Sequence, residues 1–375
     1  MEPFVTNLQF AICNLQFAIL ALMKIAVFLP SWIGDVVMAT PALQALRRYF
    51  REAYLLGVLK PYVAGVLEGS TWLDDHVYLD HRGPWVNRWP AVAARLRRDK
   101  IDLAVLFSNS FRSALVAWLG GCRRRAGYVR YGRRWLLTDR LPPISDAAGR
   151  LLPSPIIDAY NRLAEHVGCP PPGHRLELFT TPADEESADA VWRQAGFGRN
   201  TKVVCLNPGA AFGSAKYWPV EYFAVLARQL VDRGGCGVLV LCGPSERTIA
   251  RRIVKLAQRP AVHSLAEHPL SLGLTKACVR RADLLVTTDS GPRHFAAAFD
   301  RPVVTLFGPT HIAWTETYFS KAIHLQEKVP CGPCQLRTCP LDHRCMTDLQ
   351  PARVFAAAIE LMDRLEPGIQ QDDAA

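Results

Sequence analysis

Residues 282–309, ADLLVTTDSGPRHFAAAFDRPVVTLFGP, constrain this chain more than any other stretch, because strand, turn, helix and strand signals follow one another without a gap. The apolar run 283–287 has the length of a buried parallel strand. Asp289-Ser290-Gly291 supplies turn and cap chemistry, Pro292 suits the first helical position, and 294–298 carries the first turns of a helix. The chain re-enters the sheet at 302–307. Such a junction aims backbone N–H groups and the positive end of a helix past the carboxyl edge of the strand, which favours an anion, phosphate above all. Taken alone, the same stretch also reads as an ordinary βαβ unit whose Asp merely caps its helix.

The rhythm recurs along the chain. Residues 23–29 read as a strand, Pro30-Ser31-Trp32-Ile33-Gly34-Asp35 as a turn, and 36–49 as a helix. Strands at 53–59 and 102–107 flank a helix at 91–98, and a polar turn, Ser108-Asn109-Ser110-Phe111-Arg112, leads into the next helix. Proline pairs interrupt at Pro142-Pro143 and at Pro170-Pro171-Pro172-Gly173, the latter read as the linker. Strand and helix signals then resume at 202–206, 219–232, 237–241 and 246–258. At 375 residues the chain exceeds one ordinary core, so the expectation is α/β, with Rossmann-like domains at 23–172 and 173–350. The turns line a cleft, and the final helix, 351–365, crosses back to brace the first domain. Residues 370–375 read as disordered.

Residues 1–22 hold a direct repeat, NLQFAI at 7–12 and again at 14–19. No basic leader or small-residue cleavage site makes it a signal peptide, and Gln9, Asn14 and Gln16 break the apolar run that a spanning helix needs. Met23 is therefore the expected functional start, with 1–22 an extension outside the fold.

The net charge of +10 concentrates at Arg123-Arg124-Arg125, Arg130, Arg133 and Arg134, which points to an acidic or phosphorylated partner. Nucleic acid is disfavoured, because no recognisable reader motif accompanies the arginines. The 11 cysteines without a secretion signal point to a reducing compartment. Cys331, Cys334, Cys339 and Cys345 stand apart as C-x2-C-x4-C-x5-C, which fits a structural zinc, disulfides or a thiol-rich loop without metal.

Two further places carry chemistry. The glycine-rich 207–219, NPGAAFGSAKYWP, follows a strand and contains Lys216, but its spacing is not that of a P-loop and no GxGxxG appears. Lys216, with amides of the Ser290-Gly291 turn, is placed to neutralise a departing nucleoside diphosphate without a metal, consistent with the lack of a DxD motif. The alternative is a solvated surface charge. Asp35, just after Gly34, is the candidate base of the first half or simply the N-cap of a helix starting at Val36.

The blocks PSWIGDVVMATPAL, SNSFRSALVAWLGGCRRRAGYVRYGRRWLLTD, NPGAAFGSAKYWP, TTDSGPRHFAAA and CGPCQLRTCPLDHRCM resemble the bacterial lipopolysaccharide heptosyltransferases, nearest their heptosyltransferase II branch. The resemblance spans residues 23–365 and implies a GT-B fold, with the acceptor in the first domain and ADP-heptose in the second. It implies metal-independent inverting transfer, with Asp35 deprotonating the acceptor hydroxyl and no further cofactor. Gly209, Lys216, Asp289, Ser290, Gly291 and His294 would meet the donor, with Glu246 at its ribose. Gly34, Arg112, Arg125 and Arg133 would meet an acidic lipid-linked oligosaccharide of the lipid A–Kdo–heptose type. A cytoplasmic enzyme, peripheral on the inner leaflet, is implied. Pro292-Arg293 is bulkier than the residues expected at that place.

Overall fold

The structure is a computed structural model that describes residues 23–147 and 149–364. The expectations for residues 1–22 and 370–375 fall outside those residues. The chain divides after Glu177 into two units, and the short segment Ala313–Thr317 clusters with the first.

The first unit is built on a parallel sheet of β1 (Lys24–Phe28), β2 (Tyr54–Leu59), β3 (Asp75–Tyr78), β4 (Leu103–Leu106), β5 (Arg124–Tyr128) and β6 (Asp139–Leu141). Its spatial order is β3-β2-β1-β4-β5-β6. β1 pairs with both β2 and β4, Val27 lying opposite Gly57 on one side and Val105 on the other. The central strands are apolar throughout because helices cover both faces of the sheet. Ala26, Phe28, Ala104 and Leu106 join Leu96 and Val116 from the flanking helices in one core.

The single helix expected at 36–49 is two helices, Ile33–Met38 and Thr40–Tyr49. Pro41 lacks the N–H that would continue the first helix, and the Thr40 hydroxyl donates back to the Val37 carbonyl at 2.8 Å, so the chain restarts there. The domain boundary also moves. Beyond the prolines the chain still belongs to the first unit, because Glu177 accepts from Gln44 at 2.7 Å and its amide donates to Thr40 at 3.2 Å.

The second unit repeats the plan with β7 (Val203–Asn207), β8 (Gly237–Val240), β9 (Val262–Ser264), β10 (Leu284–Thr288), β11 (Val303–Phe307) and β12 (Ala322–Gln326). Its order, β12-β11-β10-β7-β8-β9, is that of the first sheet when strands are counted from the start of each unit. The final helix, Pro351–Asp363, was expected to brace the first domain. Instead it packs in the second unit, on helix Val220–Asp232 and against β10, β11 and β12. Buried Val354, Ala358 and Leu361 give it the apolar face for that contact.

Candidate functional site

In both sheets the strand order reverses between the first and fourth strands, β1 and β4 in one unit and β7 and β10 in the other. Loops leaving the carboxyl ends of such a pair are where doubly wound sheets bind ligands. Asp35 follows β1 and Asn109 follows β4, while Gly209 follows β7 and Asp289 follows β10.

In the second unit the expected donor residues come together. Helix Gly291–Ala298 starts directly after Ser290, with Pro292 in its first turn. Ser290 is the N-cap without capping through its side chain; its hydroxyl accepts from Asn207 Nδ2 at 2.8 Å. The same amide donates to Thr287 Oγ1 at 3.0 Å, and the Thr288 hydroxyl donates to the Gly209 carbonyl at 2.7 Å. The loops after β7 and β10 are thus tied into one platform. Asn207 was not singled out from the sequence, although an amide between an apolar strand and Pro208-Gly209 is the kind of residue that ties loops.

Lys216 is no surface charge. It is 8 % exposed, and its Nζ donates to the Asp289 carboxylate at 2.5 Å and to the Asp289 carbonyl at 2.9 Å. The ammonium also stands 4.9 Å from the Phe212 ring centroid. Asp289 accepts a further hydrogen bond from the Thr310 hydroxyl at 2.7 Å, and Arg293 Nη1 lies 3.5 Å away. Burial alone would raise the Asp289 carboxyl, but Lys216 and Arg293 outweigh it and hold it down at about 2. Arg293, the unexpected bulky residue, is therefore a second buried cation on the same carboxylate.

His294 is 3 % exposed, and its Nδ1 has no hydrogen-bond partner among the described residues. Burial, reinforced by Arg293, pushes its imidazole well below the ordinary value. It is neutral and brings no charge to a phosphate. Glu246 lies against Gly209: a Cβ placed there would meet the Glu246 carboxylate at 2.1–2.3 Å. Glu246 Oε2 also accepts from the Gly243 amide at 2.8 Å, which fixes the carboxylate in place.

The cysteine-rich segment supports this platform. The Arg337 carbonyl accepts from the Ala215 amide at 3.0 Å, and His343 donates to the Ala215 carbonyl at 2.8 Å. A Cβ on Gly213 would sit 2.2 Å from the Arg337 oxygen, so only glycine allows that approach. Cys331 is exposed, Cys334 and Cys339 are partly buried and Cys345 is buried. Burial and then the other three thiols push Cys345 up to about 11. Among the described residues no three His, Cys, Asp or Glu side chains gather as a metal-holding group.

In the first unit Asp35 lies in the first turn of helix Ile33–Met38, beside the partly buried Gly34. The N-cap position belongs to Trp32, so Asp35 does not cap the helix. Tyr160, raised first by its burial, is raised further by the Asp35 charge, which places the two side chains within electrostatic reach. Arg112 is exposed in the first turn of helix Phe111–Leu119, the turn capped by Ser110.

The other two acceptor arginines are corrected. Arg125 stands at the amino-terminal end of β5, across from Ala104, and its guanidinium donates to the Leu136 carbonyl at 2.6 Å and to that of Cys122. It lies at the sheet edge opposite the Asp35 loop. Arg133 is fully buried and donates to the carbonyls of Tyr128 at 2.9 Å and Ser108 at 2.6 Å and to Asn109 Oδ1 at 2.9 Å. Burial, with Arg130 adding to it, lowers the guanidinium to about 10. Both arginines are spent on the protein's own oxygens, with Arg133 shaping the Ser108-Asn109-Ser110 turn.

Comparison with known proteins agrees with this geometry. The sequence model described as glycosyltransferase family 9 (heptosyltransferase) matches residues 89–344. The lipooligosaccharide heptosyltransferase 2 of Campylobacter jejuni is 26% identical over 91% of this chain and 98% of its own. The structure of Escherichia coli ADP-heptose LPS heptosyltransferase II superposes with a TM-score of 0.73 at 24% identity, covering 91% of this chain and 99% of that one. A glycosyltransferase family 9 protein from Veillonella parvula gives a TM-score of 0.77 at 22% identity, over 91% and 97% of the two chains. The expected GT-B architecture holds.

Proposed function

The chain belongs to glycosyltransferase family 9, the heptosyltransferases, and from that premise we propose that this glycosyltransferase moves a heptose from ADP-L-glycero-β-D-manno-heptose to the inner core of lipopolysaccharide. The observation that carries the reading is the buried Lys216–Asp289 pair, set at 2.5 Å beside the start of helix Gly291–Ala298. An ammonium and the first N–H groups of a helix suit a diphosphate, and a buried counter-carboxylate holds that ammonium in place.

The chemistry is a single displacement without a metal. Asp35 accepts the proton of the acceptor hydroxyl as its oxygen bonds to the anomeric carbon. The bond from that carbon to the diphosphate breaks, ADP leaves with the electron pair, and the anomeric configuration inverts. Lys216 and the amides of Ser290 and Gly291 neutralise the charge that develops on the leaving diphosphate. Glu246, against Gly209, suits the nucleotide ribose hydroxyls. The acceptor is an acidic lipid-linked oligosaccharide of the lipid A–Kdo–heptose type, and exposed Arg112 is available to it.

The site of action is the cytoplasmic face of the membrane, approached peripherally. No described helix is long and apolar enough to cross it. Phe111, Trp118 and Trp135 form an exposed aromatic group, the Trp135 centroid lying 6.0 Å from that of Phe111 and 6.2 Å from that of Trp118, with exposed Arg112 and Arg134 adjacent in sequence. Aromatic rings mixed with arginines suit an anionic lipid surface.

The test is ADP release by the purified chain given ADP-heptose and a deacylated Kdo–heptose acceptor, beside a panel of other sugar nucleotides. Release with both substrates, above either alone, supports the reading. Faster release with another sugar nucleotide overturns the heptose assignment, and no release with any donor overturns the transferase reading.

A further inference from the structure

A pocket in the first unit lies beside the loop after β4. Asn109, Arg130, Arg162 and Ser154 contribute polar groups, and Leu152 and Trp314 stand among its apolar walls. Asn109 follows β4, Arg130 follows β5, and Arg162 lies on helix Ile156–His166. That helix also carries Tyr160, whose phenol feels the Asp35 charge. The cavity is thus on the carboxyl side of the sheet, as Asp35 is.

Its polar lining is one-sided. Among the described residues neither Arg130 nor Arg162 has a carboxylate partner; Arg130 donates only to the Tyr131 hydroxyl at 3.2 Å and stacks on that ring at 5.0 Å. The two acids on the Arg162 helix that act on the cavity residue Tyr128 are Asp158, which pairs with His174 at 2.8 Å, and exposed Glu165. Asn109 Oδ1 is taken by Arg133 at 2.9 Å, so the group Asn109 has left to offer is its NH2 donor. Two guanidinium groups and an amide donor in a concave site with apolar walls match an oxyanion carried on a carbon ring.

We propose that this cavity binds the acid group of the acceptor sugar, with Arg130 and Arg162 on the oxyanion and the Leu152 and Trp314 wall on the carbon face of the ring. The proposal rests on the glycosyl-transfer reading and moves acceptor recognition to residues other than Arg125 and Arg133. The oxyanion is a carboxylate or a phosphate, and the acceptor series below separates the two.

The experiment is steady-state transfer by the full chain and by Arg162→Met and Arg130→Met, using ADP-heptose and a deacylated Kdo–heptose acceptor. That acceptor is used intact, with its carboxylate reduced, or with its phosphates removed. Each variant should raise the acceptor KM by about tenfold, as expected for a lost charge-assisted contact, with the donor KM and kcat within about twofold of wild type. One modified acceptor should lose the same factor on wild type and lose nothing further on Arg162→Met, and which one does so identifies the oxyanion. Unchanged acceptor KM in both variants overturns the proposal while the transferase reading stands. If wild type transfers nothing, calorimetric binding of the intact acceptor takes over as readout: tenfold weaker binding by Arg162→Met sustains the cavity, and equal binding removes it.

Discussion

The Lys216 ammonium lies 2.5 Å from the Asp289 carboxylate, with the two residues only 8 % and 4 % exposed. Each side chain makes the burial of the other tolerable, and removing one leaves an uncompensated charge. Lys216→Met should therefore lower unfolding stability by about 3 kcal/mol, weaken ADP binding and slow transfer together. Thermal denaturation with ADP calorimetry checks it; unchanged ADP affinity would separate Lys216 from the diphosphate.

The same pair sets an acid limit. Asp289 titrates at about 2 in the folded chain against an ordinary 3.8, so the unfolded chain binds the proton more readily. Its stabilising contribution, on the order of 2 kcal/mol, is complete above about pH 4 and disappears as the pH falls toward 2. Urea denaturation at pH 5 and pH 3 should show wild type losing more stability between the two than Asp289→Asn does.

Asp35 is predicted to act on the acceptor alone. Asp35→Asn should reduce kcat by about a thousandfold, the range for loss of a general base, while ADP binds as before. Parallel loss of folding or of ADP affinity would make Asp35 a structural residue. The pH profile of the residual activity should lack the acid limb of wild type.

Gly209→Ala should disturb the platform made by the loops after β7 and β10, because its new methyl group overlaps the Glu246 carboxylate. Overpacking of this kind costs about 1–3 kcal/mol. Adding Glu246→Ala removes the overlap, so the double variant should regain stability without regaining full ADP affinity.

Arg133→Met should destabilise the first unit by about 3 kcal/mol, because the carbonyls of Ser108 and Tyr128 lose a buried donor. Arg133→Lys should recover little, since one ammonium cannot span acceptors arranged around a planar fork. Chemical denaturation of both variants measures this.

How much was readable beforehand follows from where each residue sits. β1, β4, β7, β10 and β11 are nearly all apolar because both of their faces are covered, and all were legible. β3 (DHVY), β6 (DRL) and β9 (VHS) were not, since edge strands are short and partly solvated. β5 (RRAGY) opens on two arginines and reads as a charged surface run. That disguise also misplaced Arg125, because sequence shows a charge but not the end of the sheet on which it falls. Lys216 and Asp289 were each identifiable from loop chemistry. Their pairing was not, because 73 positions separate them and only the closing of the sheet brings them together. Arg130 was noted only as part of the basic run, and Arg162 was passed over, because nothing local distinguishes an arginine whose guanidinium has no acid to meet.

The contacts of Arg337 and His343 with Ala215 tie the cysteine-rich segment to the backbone next to Lys216. A stretch far downstream acts as a buttress for the loop that carries Lys216. Exchanging that stretch among relatives, with every contact residue for the sugar nucleotide untouched, would retune how firmly the leaving group is gripped.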